Sequence, residues 1–451
     1  MSNTSMNQRM ELTPIPQLIV KSSVPLMIST LVSSLYGLVD SMFVARISEK
    51  ALTATTIAFP ITLFLFAIAI GTGMGVNSRL SRYLGEGETE NAKETGWTAM
   101  ILCFLSSIPF MLIGLLGLPF IFRLLTADAE ISAMGQTYSR IILLFCLGQF
   151  FASVGGRLLQ ATGFASLSMT TQLTGSILNC ILDPIMIFGL LGFPAMGIKG
   201  AAIATVISQT VSGGLSVLLY FIKNPALRLQ KKNLKLRIDL IKEIYQVGIP
   251  VMIMTSLNSL LMMITNRLLE SVSGTAIAFY GIFGKLQNFM FMPINGLSQG
   301  IVPIIGYFYG AKNKEKIRSA IHFSLKLGTT VMAVGSIIFL LFPNTLMSIF
   351  DPSPAMLEMG QIGLRMLALS FIPLSFLQIY GNTFTALGNG MLNMKCSLIK
   401  GILPIPLLMI FIHFVGTNWC WFAFVLAELI ASAVSINAFH KLNNGLIEKL
   451  S

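Results

Sequence analysis

The chain has 451 residues, of which 54% are hydrophobic and only 11% charged, and it carries a formal net charge of +12. Soluble globular chains hold roughly 25% charged residues, so a soluble enzyme, a disordered tail and a secreted disulfide scaffold are excluded. What remains is an all-α polytopic membrane protein, because apolar runs such as 101–118 and 398–415 approach the roughly 20 residues that cross a hydrocarbon core.

The positive charge does not signal nucleic acid. Lys and Arg collect in a few short loops, as membrane proteins keep them on the cytoplasmic side. The expected partners are therefore the lipid bilayer and small molecules. The five cysteines, Cys103, Cys146, Cys180, Cys396 and Cys420, form no CxxC pair and read as small buried hydrophobes. Three scattered histidines, His322, His413 and His440, give a metal site almost nothing to work with.

Taken in chain order, residues 1–17 are polar, and the apolar run from Leu18 is longer than the h-region of a signal peptide, so it reads as a first membrane helix. Apolar runs between polar breaks give twelve spans, near 18–44, 52–78, 96–118, 133–156, 166–189, 198–221, 243–269, 275–307, 319–341, 357–384, 391–415 and 418–438. The longest break, 223–242, carries Lys223, Arg228, Lys231, Lys232, Lys235, Arg237 and Lys242. It separates an N-terminal six-helix lobe, 1–222, from a C-terminal one, 243–451. With twelve spans the termini and even-numbered loops share one side, which holds 20 of the 30 Lys and Arg against five opposite. That bias puts both termini and the linker in the cytoplasm of a multi-pass plasma-membrane protein.

A shift of 225 residues brings landmarks into coincidence: Pro25 with Pro250, Ala51 with Ala276, Gly71 with Gly296, Gly75 with Gly300 and Gly85 with Gly310. Met134-Gly135-Gln136 falls on Met359-Gly360-Gln361, Arg140 on Arg365, and Ala161 and Gly163 on Ala386 and Gly388. Each half therefore has six spans and the same topology, a parallel repeat of two pseudo-symmetric bundles. Paired bundles of this kind hold substrate at their interface and work by rocking; the expectation is a transporter.

An ionisable group facing lipid is costly, so acids inside spans line cavities and carry function. Of the 18 acids, only Asp40, Asp183 and Glu428 fall clearly inside spans, with Glu270 at a span end. Asp40 and Asp183 lie on outward-running helices and reach similar depth in the outer half of the bilayer, where they can cluster. Asn179 precedes Asp183 by four residues and shares its face, and Thr205 in span 6 comes to the same level. This all-oxygen set suits a hard cation, or alternatively two carboxylates that hold a proton. A plainer reading makes both aspartates helix-end residues, but Ser33, Ser34 and Tyr36 extend the polar face of Asp40 inward. Pro184 kinks span 5 beside Asp183. At the repeat offset Asp40 becomes Thr265 and Asp183 becomes Leu408, so ion coupling is expected in the N-terminal lobe. Glu428 is a lone acid that either contacts a cationic substrate or pairs with a neighbour.

No G-x-x-x-x-G-K-[ST] occurs, the nearest string being Gly281-Ile282-Phe283-Gly284-Lys285 with the wrong spacing. There is no Ser/His/Asp or zinc constellation, and the Gly-x-Gly-Asp context of an intramembrane aspartyl protease is missing. Energy then comes from an ion gradient or the substrate's own gradient; no enzyme activity and no organic cofactor are expected.

Val39-Asp40-Ser41-Met42-Phe43-Val44 after Pro25, Gln160-Ala161-Thr162-Gly163, Asn179-Cys180-Ile181-Leu182-Asp183-Pro184 and Gly197-Ile198-Lys199-Gly200-Ala201-Ala202-Ile203-Ala204-Thr205 carry a resemblance. Over nearly its whole length the chain resembles the multidrug and toxic-compound extrusion (MATE) family. The resemblance implies a V-shaped pair of lobes and a cation-coupled antiporter that exports cationic or amphipathic drugs in exchange for H⁺ or Na⁺. By position, Asp40, Asn179, Asp183 and Thr205 match the N-lobe ion site, Tyr36 and Tyr138 aromatics near it, and Pro25 the span-1 proline associated with bending. Some sodium-driven members carry acids in spans 7 and 10; this chain has none in the middle of either and looks more like the DinF-like branch. A flippase for lipid-linked precursors is the alternative, and it would need a cavity rich in Arg and Lys. Spans 1–6 offer Arg140 alone among clearly internal cations, and the second half adds Lys285, Lys326, Arg365 and Lys400. A transport-dead scaffold or sensor is a further alternative, and a monomer suffices for the antiport mechanism.

Overall fold

The computed structural model describes residues 10–227, 237–270, 272–350, 352–416 and 419–450. Arg228, Lys231, Lys232 and Lys235 of the basic segment, and the side chain of Glu270, lie outside the described residues. No strand occurs among the described residues. The spans are α1 (Ile15–Ala45), α2 (Glu49–Glu86), α3 (Thr89–Leu125), α4 (Ala129–Leu144 and Leu147–Ala161), α5 (Ala165–Phe188) and α6 (Ile198–Lys223). They continue as α7 (Ile238–Leu269), α8 (Gly274–Gly310), α9 (Lys314–Leu341), α10 (Pro354–Ala368 and Phe371–Ala386), α11 (Gly390–Val415) and α12 (Phe422–Ile447). Ten are continuous; α4 and α10 are each bent, by 51° and 46°. In α10 the cause is near at hand, since Pro373 has no N–H to donate to the carbonyl of Leu369.

The repeat recurs in the backbone. Ser48 and Ser273, one repeat apart, cap α2 and α8 by accepting the N–H of Ala51 and of Ala276, each at 3.0 Å. Both helices end in the same wrapped turn, with Glu88 N–H on Tyr83 O at 3.0 Å and Asn313 N–H on Phe308 O at 2.9 Å. The left-handed residue in that turn is Gly87 (φ 75°) in the first copy but Lys312 (φ 55°) in the second. Asp128, outside the spans, caps α4; the N–H groups of Ile131 and Glu130 hold its carboxyl below the usual carboxylate range.

Contacts divide the chain into two compact units. The first holds Ile28–Met252; the second holds Leu12–Met27 and resumes at Ile253. Composition places the boundary in 223–242, whereas the contact division falls inside α1 and α7. Small residues at two helix crossings explain it. In the first unit a Cβ on Gly75 of α2 would lie 2.1 Å from the Ile244 carbonyl oxygen of α7. In the second, a Cβ on Gly300 of α8 would lie 2.4 Å from Ser23 Oγ of α1. Lipid is as apolar as a leucine side chain, so such close packing, and not burial from water, holds spans together. At the foot of the first unit Arg237 donates to Glu94 at 2.6 Å and to Asn91 Oδ1 at 2.9 Å, and also pairs with Asp239. These partners, Asp239 foremost, hold its guanidinium above its ordinary pKa.

The first core is built on Leu80, Ala99, Phe110, Phe150, Leu158 and Tyr220. In the second unit Trp421, only 1% exposed, meets the buried Phe279 edge-on at 4.6 Å between ring centroids. A non-glycine left-handed residue costs about 1 kcal/mol or more. Lys312→Gly should therefore stabilise the protein by about 1 kcal/mol, and Gly87→Lys destabilise it similarly, in thermal unfolding of the solubilised protein. No upward shift for Lys312→Gly would refute the strain assigned to that turn.

Candidate functional site

In α1, Ser29, Ser33, Tyr36 and Asp40 recur at helical spacing and form one polar stripe; Gln172, Asn179 and Asp183 do so in α5. The two stripes meet inside the first unit. Ser29 donates to Gln172 Oε1, and Gln172 Nε2 donates to Ser33 Oγ at 2.8 Å. Further along, Tyr36 lies close to Thr205 of α6, and the carboxyls of Asp40 and Asp183 come near each other. Asn179 Nδ2 donates to Asp183 Oδ1 at 3.2 Å. The Thr205 hydroxyl donates to Ala201 O at 3.0 Å. Tyr138 of α4 borders the same group.

Local backbone chemistry fixes the tops of α5 and α6 together. The connecting loop folds back so that Met196 and Gly197 N–H bond Met186 and Ile187 carbonyls at 3.0 and 3.1 Å. A Cβ on Gly200 would stand 2.4 Å from Met186 O, so only glycine lets α6 start this close to α5. Asp40 and Asp183 each lie five residues before the ends of their helices, roughly 7.5 Å along the axis. Pro184 has no N–H for the Cys180 carbonyl, which adds one more acceptor beside the pair.

Electrostatically the site has too many acceptors. Asp183 is fully buried, Asn179 is 1% exposed and Thr205 7%. Asp40 Oδ1, Asp183 Oδ2 and Asn179 Oδ1 are buried without a hydrogen-bond partner. Two of the donors, Asn179 Nδ2 and the Thr205 hydroxyl, are already engaged. Such a cluster can take a proton or a small hard cation, and nothing in it suits an anion.

Six residues singled out from the sequence, Tyr36, Asp40, Tyr138, Asn179, Asp183 and Thr205, are thus brought together. Pro25 lies in α1 within the stretch assigned to the second unit, and Pro184 within α5. Glu428 belongs to the second unit, where of its two expected roles the pairing one is seen: Lys400 Nζ stands 3.0 Å from Glu428 Oε1. The repeat counterparts of the aspartates, Thr265 and Leu408, are buried. One expectation needs correction. Arg140 is exposed, whereas Arg157, counted with the loops because its apolar run stops at 156, lies within the α4 helix, partly buried and donating to Gln160 Oε1 at 3.0 Å. Gln172 escaped notice too, although its position two helical turns before Asn179 was the available signal.

A family model described as MatE matches residues 25–185 and 250–410, two stretches displaced by the repeat length. The chain is 26% identical to the multidrug export protein MepA of Staphylococcus haemolyticus, over 95% of this chain and 94% of that one. It is 27% identical to the FAD transporter of Shewanella oneidensis over 88% of each chain. A solved MATE transporter in a straight conformation shares the fold over the whole of both chains, with TM-score 0.90 at 23% identity. Another in a bent conformation matches over 99% of each, with TM-score 0.90 at 24%.

Overpacking against rigid backbone costs about 1–3 kcal/mol. Gly200→Ala should lower thermal stability by that order, whereas Gly214→Ala in the same helix, which faces open space, should be neutral. Equal effects would remove the tight α5–α6 crossing from the account of how the site is held.

Proposed function

Because the chain belongs to the MatE family, whose members are transporters, we propose that it is a secondary active multidrug efflux antiporter. It exports cationic or amphipathic compounds from the cytoplasm in exchange for H⁺ or Na⁺. In this reading it works as a monomer in the plasma membrane with both termini cytoplasmic, and no organic cofactor takes part. The relatives named as multidrug exporters support the substrate class, and the Lys/Arg bias supports the orientation.

The observation that carries the coupling role is the surplus of buried acceptors, Asp40 Oδ1, Asp183 Oδ2 and Asn179 Oδ1, around two neighbouring carboxyls. Two carboxylates this close repel each other when both are ionised. A bound cation or proton removes the repulsion and draws α1 onto α5 and α6; its release lets α1 relax. Tyr36 beside Thr205 and the bond from Gln172 to Ser33 extend the same seam, so the state of the acids is transmitted along α1. A difference in ion affinity between two conformations, converted into a population shift, is what drives alternating access.

A second reading, a flippase for lipid-linked precursors, draws on Arg157, which no carboxylate pairs among the described residues.

Asp40→Asn and Asp183→Asn should each abolish export of a fluorescent cation while leaving the protein in the membrane. Everted vesicles energised separately by a proton and by a sodium gradient identify the ion. Full export by both variants would refute the coupling role, and loss of export in Arg157→Gln with both aspartate variants active would favour the flippase.

A further inference from the structure

The second unit contains an ion pair for which the antiport scheme has no use. Lys400 of α11 and Glu428 of α12 stand 3.0 Å apart, Nζ to Oε1, and the ammonium also lies 5.6 Å from the centroid of the Phe291 ring of α8. Lys400 is ten residues into α11, in the last turn before the break at Leu403 and Pro404, and Glu428 six into α12, roughly 15 and 9 Å along their axes, so both lie inside the spans. The Glu428 side chain is 8% exposed and that of Lys400 35%. The carboxylate is shut in; the ammonium reaches outward.

Stability does not explain the pair. Buried ion pairs are often matched or bettered by apolar residues of similar volume. One repeat earlier the same two positions hold Gly175 and Ile203, so this helix pair forms without charges. The pair also has unused capacity. Glu428 Oε2 is buried without a partner. Pro404 cannot donate to the Lys400 carbonyl, and an ammonium has three N–H groups. Other polar side chains of the unit find partners within it: Gln378 Nε2 donates to Asn295 Oδ1 at 3.0 Å and Ser432 Oγ, one turn after Glu428, to Pro373 O at 2.6 Å.

Charge balance then selects the ligand. A simple cation drawn to Glu428 strands the Lys400 ammonium, and a simple anion on Lys400 strands the carboxylate; either leaves an uncompensated charge in a low dielectric. A compound with both charges gives each group a new partner and leaves the net charge unchanged. Building on the reading of the chain as an exporter of amphipathic compounds, we propose that Lys400 and Glu428 form a subsite for zwitterionic amphiphiles. Lys400 swings from Glu428 Oε1 to the ligand's carboxylate or phosphate, and Glu428 receives its cationic nitrogen. The flexible stem of Lys400 supplies the reach, and Phe291 flanks the exchange with an aromatic face.

Equilibrium binding of two dyes to the purified full-length protein tests this without any gradient. The probes are a rhodamine carboxylate, which is zwitterionic, and its methyl ester, which is only cationic. Wild type should bind the carboxylate about tenfold tighter, the size of one charge-assisted contact. Lys400→Met should reverse that order, Lys400→Arg should keep it, and the neutral double variant Lys400→Met/Glu428→Gln, which strands no charge, should show no preference. No preference in wild type, no binding of the carboxylate dye, or one ratio in every variant overturns the subsite. A protein with the preference but no gradient-driven efflux would lose the antiport reading and keep the subsite.

Discussion

In a hydrocarbon solvent a polar group has no water to fall back on; its partners must come from the protein or from a ligand. Every feature of this chain that bears on function follows from that constraint. Hydroxyls within the spans bond back to carbonyls of their own helix, as Thr205 does to Ala201 and Ser216 to Ser212. Gln172 is satisfied by two serines of α1. Several buried hydroxyls and ring N–H groups also lack a partner, but at the Asp40–Asp183 pair and at Glu428 Oε2 the unpaired atoms are carboxylate oxygens, and these are the places proposed to bind something from outside.

The repeat shows which parts of the design are structural. Gln160 Nε2 donates to Ser168 Oγ at 3.0 Å, and one repeat later Asn393 Nδ2 donates to Thr385 Oγ1 at 2.9 Å: the same α4–α5 contact, with donor and acceptor exchanged between helices. Caps and glycine crossings are likewise duplicated. The charges are not. The first copy has two acids and an amide in α1 and α5, the second a neutral Lys–Glu pair in α11 and α12. A scaffold can be copied whole because its contacts are local and steric, whereas a second acidic cluster would repeat the electrostatic cost of the first.

Much of the site was legible in the residues. Depth along a helix at 1.5 Å per residue put Asp40 and Asp183 at one level, and four-residue spacing put Asn179 on the face of Asp183. Arg157 and Gln172 were harder. Apolar runs report where lipid-compatible sequence ends, not where a helix ends, so an arginine one residue beyond a run looked like loop. A glutamine amid Ser and Thr has no signal of its own until the helix opposite supplies its partners.

The order of residues by itself determined that this is a membrane protein of twelve apolar spans, built twice, with its clearly intramembrane acids in helices 1, 5 and 12. Those conclusions rest on composition and on periodicity, both properties of the chain alone. Only tertiary structure decided that the contact boundary runs through α1 and α7, that Gln172 serves Ser33, and that Lys400 answers Glu428. Such pairings depend on helix rotation and on how closely two backbones approach. A single glycine Cβ can change both, and no spacing rule along one helix contains them.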